Sequence, residues 1–106
     1  MGMQRAIRFA GAEPAWPAVT AALRALGEGP ILRMIDGLPA FPDEEPADGW
    51  RELRVSVTGG MVTLRRGAGE WACVVWGNAD DALVRGWDAC CQAVARAGNG
   101  VIDGGA

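Results

Sequence analysis

The sequence predicts an α+β fold, a two-layer sandwich of a mainly antiparallel sheet with two helices on one face. Two segments, 15–27 and 79–97, repeat apolar residues at helical spacing. Five shorter segments alternate apolar and polar residues or are apolar throughout, as strands do. The order β-α-β-β-β-β-α, in 106 residues of which half are hydrophobic, fits a single small domain.

Both predicted helices have start and stop signals. Pro17 suits the first turn of the helix over 15–27, and Gly27 suits its end. Asn78 is the expected N-cap of the helix over 79–97. Each helix carries one apolar stripe, formed by Trp16, Val19, Leu23 and Leu26 in the first and by Leu83, Trp87, Cys90 and Val94 in the second.

The segment that follows Trp50 predicts a β-hairpin turning at Gly59-Gly60. Pairing Thr58 with Met61 brings the apolar residues of both strands to one face. That register places Arg54 directly opposite Arg65, a destabilising arrangement of like charges. Either both side chains splay into water, or an anionic group neutralises them; the candidates are the chain's own acidic loop and an external partner.

The predicted strand over 71–76 is apolar on both faces, which is typical of a central strand. We expect Val74 and Trp76 on the face away from the helices, whereas a three-residue loop at 67–70 would place Trp71 there instead. Trp and Arg are the residue types enriched at binding hot spots. The predicted binding surface therefore consists of Arg54, Arg65, Val74 and Trp76, with Trp71 as the alternative to Trp76.

An acidic, proline-rich loop is predicted over 38–49. It carries Asp43, Glu44, Glu45 and Asp48. Loops of this length in a compact domain are often functional or mobile, although a solvated connector is the favoured interpretation of this one.

Small residues recur along the second helix and let another backbone approach closely. They are Ala82, Gly86, Ala89, Ala93 and Ala97. Two interpretations are open: the two helices of one chain pack side by side, or this row is the seam of a homodimer.

The chain lacks the residue types that several common catalytic and nucleotide-binding sites require. The chain has no His, Lys or Tyr and a single Ser, Ser56, which excludes a Ser–His triad and a P-loop. The stretch 67–72 matches the dinucleotide pattern G-x-G-x-x-A, but it lies between two predicted strands, where no helix N-terminus meets a pyrophosphate. We therefore expect no cofactor, no metal site and no catalytic residue, and an enzyme is disfavoured.

The charge and the apolar content of the chain also restrict the kinds of partner that it can bind. A net charge of −3 with an isoelectric point near 4.8 disfavours nucleic-acid binding. No apolar stretch reaches the roughly 20 residues that a membrane span needs. The chain has three cysteines, Cys73, Cys90 and Cys91. An odd number, with two of them adjacent, does not suit a disulfide framework. We therefore expect buried, reduced thiols and a cytoplasmic protein. The ordered domain is expected over 3–103, with a loose tail at 104–106.

The sequence therefore leaves three functions open. The first is a non-catalytic protein-binding or adaptor domain, with a possible homodimer, that uses the open sheet face. The second is a small-molecule-binding domain or carboxylate-dependent enzyme with its site between the acidic loop and the sheet. The third is a purely structural domain within a larger complex.

Overall fold

Seven strands form one antiparallel sheet in the computed structural model, which describes residues 2–77 and 79–103. Two helices cover one face of this sheet, so the α+β prediction is confirmed. The elements are β1 (Met3–Arg8), α1 (Trp16–Ala25), β2 (Ile31–Ile35), β3 (Leu38–Pro39), β4 (Glu52–Val57), β5 (Gly60–Arg66), β6 (Glu70–Val75), α2 (Asp81–Gly98) and β7 (Val101–Asp103).

The strand order across the sheet is β3-β2-β4-β5-β6-β1-β7. The strands β2, β4, β5 and β6 are neighbours in the sheet in the same order as they occur in the chain. The short strand β3, which comes between β2 and β4 in the chain, lies at the edge of the sheet instead. The first strand, β1, pairs with β6 and β7, which lie far from it in sequence. Both edge strands are only two or three residues long, which limits edge-to-edge pairing with other chains.

The register of the β4–β5 hairpin differs from the predicted one. Val57 pairs with Gly60, so the two turn residues are Thr58 and Gly59 rather than Gly59 and Gly60. Gly59 has a φ of 86°, the left-handed conformation that glycine adopts without strain. Every pair is displaced by two residues, and a displacement of two leaves each side chain on its predicted face.

The start of α2 also corrects a prediction. Its N-cap is Asp80, whose Oδ1 accepts a hydrogen bond from Leu83 N at 2.9 Å. The expected cap Asn78 and the expected loose tail at 104–106 lie outside the described residues. The helix ends at Gly98 and is capped by Asn99, which takes the left-handed conformation while Gly100 N donates to Ala95 O at 2.8 Å.

The core lies between the helices and one face of the sheet. The predicted stripes face it, since Val19 and Leu23 of α1 and Trp87 and Val94 of α2 are fully buried. Trp87 Nε1 donates to Cys73 O at 2.9 Å, which fixes α2 on β6 and satisfies a buried donor. Among the described residues, neither helix is long and apolar enough to cross a membrane.

Candidate binding surface

The side of the sheet away from α1 and α2, here called the open face, is defined by the strand pairing. Residues directly opposite each other in antiparallel strands point to the same side. Three rows of side chains therefore cross the open face. They are Ile31, Ser56 and Met61; Met34, Arg54, Thr63, Val74 and Gln4; and Glu52, Arg65, Ala72, Ala6 and Asp103.

The two arginines are not opposite each other, so the predicted like-charge pair is wrong. Arg54 faces Thr63, and Arg65 faces Glu52. Glu52 Oε1 accepts a hydrogen bond from Arg65 Nε at 3.1 Å, while its Oε2 lies 3.9 Å from Arg54 Nε. The carboxylate of Glu52, two residues before Arg54 in β4, thus serves both guanidinium groups, and the acidic loop of the same chain is not the group that neutralises them.

In the part of the chain that the structure describes, Arg54 lacks the hydrogen bond at Nε that Arg65 has. Its Nε is shielded from solvent and has no hydrogen-bond partner among the described residues. The side chain as a whole stays partly exposed. A charged donor without a partner is costly when it is shielded from water, so an added acceptor at this point would be stabilising.

Trp76 is the most exposed aromatic residue next to these arginines. It lies just beyond β6 with 56% of its surface exposed. The guanidinium carbon of Arg65 is 5.1 Å from the centre of its ring, within range of a cation–π contact. Met61 and Ile31 are also exposed on this face. The structure therefore places Arg65 beside Trp76 and links Arg65 to Arg54 through Glu52.

Two other predicted surface residues are not accessible. Val74 points to the open face but is buried between neighbouring side chains, beside the equally buried Thr63. Trp71 is 0% exposed and faces the helices, so it is not part of the binding surface. Its Nε1 donates to Glu13 Oε1 at 2.7 Å, and its ring meets Trp50 edge-on.

The acidic loop lies on the helix side of the sheet. Its residues share a groove with Trp16, Pro17 and Arg24 of α1, opposite in the fold to the open face. The side chains of Asp43, Glu44, Glu45 and Asp48 are exposed. Within the described residues none of these carboxylates forms an ion pair.

A small cavity does lie between this loop, α1 and the end of the sheet. Its volume is about 200 Å³, and Glu45, Asp48, Trp50 and Arg66 line it. Arg66 is already engaged: its Nε donates to Glu13 Oε1 at 2.9 Å and its Nη1 to Trp50 O at 3.1 Å. The hydrogen bonds from Arg66 and Trp71 hold the pKa of Glu13 below its ordinary value. These hydrogen bonds attach the loop that contains Glu13 and the loop that ends at Trp50 to strands β5 and β6.

The three thiols are buried, as the sequence predicted. Burial raises the pKa of Cys90, and a hydrogen bond to Cys91 together with burial raises that of Cys73. A raised pKa keeps the thiols of Cys73 and Cys90 protonated and unreactive. The hydrogen bond with Cys73 lowers the pKa of Cys91, so burial alone limits the reactivity of that thiol. Among the described residues no group of three or more His, Cys, Asp or Glu side chains is placed to hold a metal ion.

Sequence reasoning missed Glu52, which neutralises Arg65, because the expected register left it without a basic partner. It also missed Ile31 and Met61 as surface residues. Both lie at open-face positions of strands whose alternation the sequence predicts, but only the pairing shows that they share a row.

Comparisons with family models, curated proteins and solved structures found no match for this chain.

Proposed function

We propose that this chain is a non-catalytic protein-binding domain and that the open face is its docking surface. The observation that carries the proposal is the exposed ring of Trp76, placed beside Arg54 and Arg65 on a sheet face that no other described element covers. Aromatic and arginine side chains dominate binding energy at protein interfaces.

The open face has most of the area that such a role needs. The seven strands together hold 35 residues, and at about 3.3 Å along the strand and 4.8 Å between strands they cover about 550 Å² of sheet. A typical specific interface buries about 800 Å² on each partner. The open face combines apolar residues with ion pairs, which fits a partner that brings both an apolar side chain and an acceptor for Arg54.

A small-molecule site beside the acidic loop has less support. Ligand pockets usually enclose about 300–1,000 Å³, and the cavity there holds about 200 Å³. Its arginine is already bound by Glu13 and by backbone oxygens. The buried free thiols suit a reducing compartment, so we infer that the partner is a cytoplasmic protein.

Photo-crosslinking tests the proposal. A benzophenone amino acid is placed at position 76 of the full chain expressed in its native cells, and a matched control carries it at position 21. Ala21 is exposed on α1, on the opposite side of the molecule. We expect a discrete protein adduct from position 76 only, reduced at least tenfold by Arg54→Gln with Arg65→Gln. Equal labelling from positions 76 and 21 would refute the proposal.

A further inference from the structure

We propose that the open face binds the acidic loop of a second copy of this chain, so that molecules associate head to tail. This inference rests on the proposed function and names its partner. The surface of the loop that would dock, here called the loop tip, consists of Leu38, Phe41, Asp43, Glu44 and Glu45.

The loop tip carries exposed apolar side chains and several carboxylates, which complement the residues of the open face. Phe41 is 75% exposed and Leu38 is 69% exposed, values as unusual for large apolar side chains as that of Trp76. Glu44 Oε1 accepts a hydrogen bond from Phe41 N at 3.2 Å, which keeps the Glu44 carboxylate beside the backbone of Phe41. The loop tip therefore presents an apolar anchor beside several negative charges.

The open face presents the complementary pattern. Arg54 and Arg65 share the single carboxylate of Glu52, and Arg54 Nε has no hydrogen-bond partner among the described residues. Trp76 and Met61 lie next to them and are exposed. Docking would pack Phe41 on Trp76 and give Arg54 a carboxylate. One contact would thereby cover two exposed apolar groups and complete an ion pair.

The contact must form between molecules. The loop tip is held beside α1, where Asp43 and Glu44 share a groove with Trp16 and Arg24. The helices lie on one side of the sheet and the open face on the other. A loop tip therefore cannot reach the open face of its own chain. A head-to-tail contact between two copies leaves one open face and one loop tip free, so further copies can add.

Sedimentation equilibrium with two variants tests this arrangement. The face variant carries Arg54→Gln with Trp76→Ser, and the loop variant carries Phe41→Ser with Glu45→Gln. For the wild type we expect an average mass that rises with concentration beyond twice the 11.1 kDa of one chain. Each variant alone should stay monomeric. Their equimolar mixture should stop at a dimer, because only one intact face and one intact loop tip remain.

A control variant, Arg96→Gln with Val101→Ser, removes one exposed charge and one exposed apolar group elsewhere and should associate as the wild type does. Circular dichroism confirms that each variant is folded. A monomeric wild type, a loop variant that associates normally, or a mixture that stays monomeric would overturn the inference. If position 76 still crosslinks to a different protein, the proposed function stands without it.

Discussion

The backbone of Gly86, in the second turn of α2, lies directly against the carbonyl oxygen of Thr58 at the tip of the β4–β5 hairpin. A β-carbon at Gly86 would collide with that oxygen and approach Val57 Cγ2 to 2.8 Å. Gly59 is equally close to the backbone of Ala82 and Leu83. The hairpin of the same chain thus packs against Gly86, and this contact accounts for the small residue here without a second copy of the chain.

This contact predicts that Gly86→Ala lowers stability. Helix propensity alone would favour alanine by about 1 kcal/mol. Overpacking against a backbone oxygen costs about 1–3 kcal/mol and cannot be relieved by a rotamer change. The two effects together give a net loss of up to about 2 kcal/mol in the free energy of unfolding, measured by urea denaturation.

The matched control is Gly11→Ala. An added β-carbon at Gly11 meets no heavy atom within 4 Å, so its effect should stay within about 0.5 kcal/mol. A Gly86→Ala variant that is more stable than the wild type by about 1 kcal/mol, the full gain in helix propensity, would show that α2 and the hairpin are not in close contact.

The faces of the strands were predictable from sequence because side chains alternate with a period of two. The exact register was not, because either Thr58-Gly59 or Gly59-Gly60 satisfies the apolar alternation, and only the turn conformation selects between them. The shift of two residues preserved Arg54 and Arg65 on the open face while changing the partners of both.

Strand order and edge strands depended on contacts that sequence patterns do not encode. The pairing of β1 with β6 joins residues far apart in the chain, such as Ile7 and Trp71. The two-residue strand β3 is too short for any periodicity. The separation of the acidic loop from the open face likewise follows from packing on α1.

The Glu13 carboxylate predicts a pH dependence of stability. Because Arg66 and Trp71 hold its pKa below the ordinary value, the folded state binds this proton less readily than the unfolded state. Its contribution is therefore present above about pH 4.5, the region of an ordinary glutamate pKa, and is lost as pH falls through the folded-state pKa.

Urea unfolding between pH 3 and pH 6 checks this. Glu13→Gln should flatten the decline in stability at low pH, and Trp71→Phe, which removes the indole donor, should flatten it in part. A slope identical to that of the wild type in both variants would mean that Glu13 is not held by these partners.

The buried thiols predict slow labelling. Cys73, Cys90 and Cys91 should react with a thiol reagent only when the domain opens, at least a hundredfold more slowly than a cysteine introduced by Ala21→Cys on the exposed side of α1. Mass spectrometry of timed samples gives the rates. Rapid modification of any native thiol in the folded protein would contradict its place in the core.

The most direct test of the central claim, that the open face is covered by a protein in its native setting, is hydroxyl-radical footprinting of Trp76. The measurement compares oxidation inside the cells that express the chain with oxidation of dilute purified protein. Trp71, which is 0% exposed, provides the internal reference that stays protected in both. The account predicts that Trp76 is oxidised readily in dilute solution and is protected several-fold in cells. Equal oxidation of Trp76 in both conditions would contradict it.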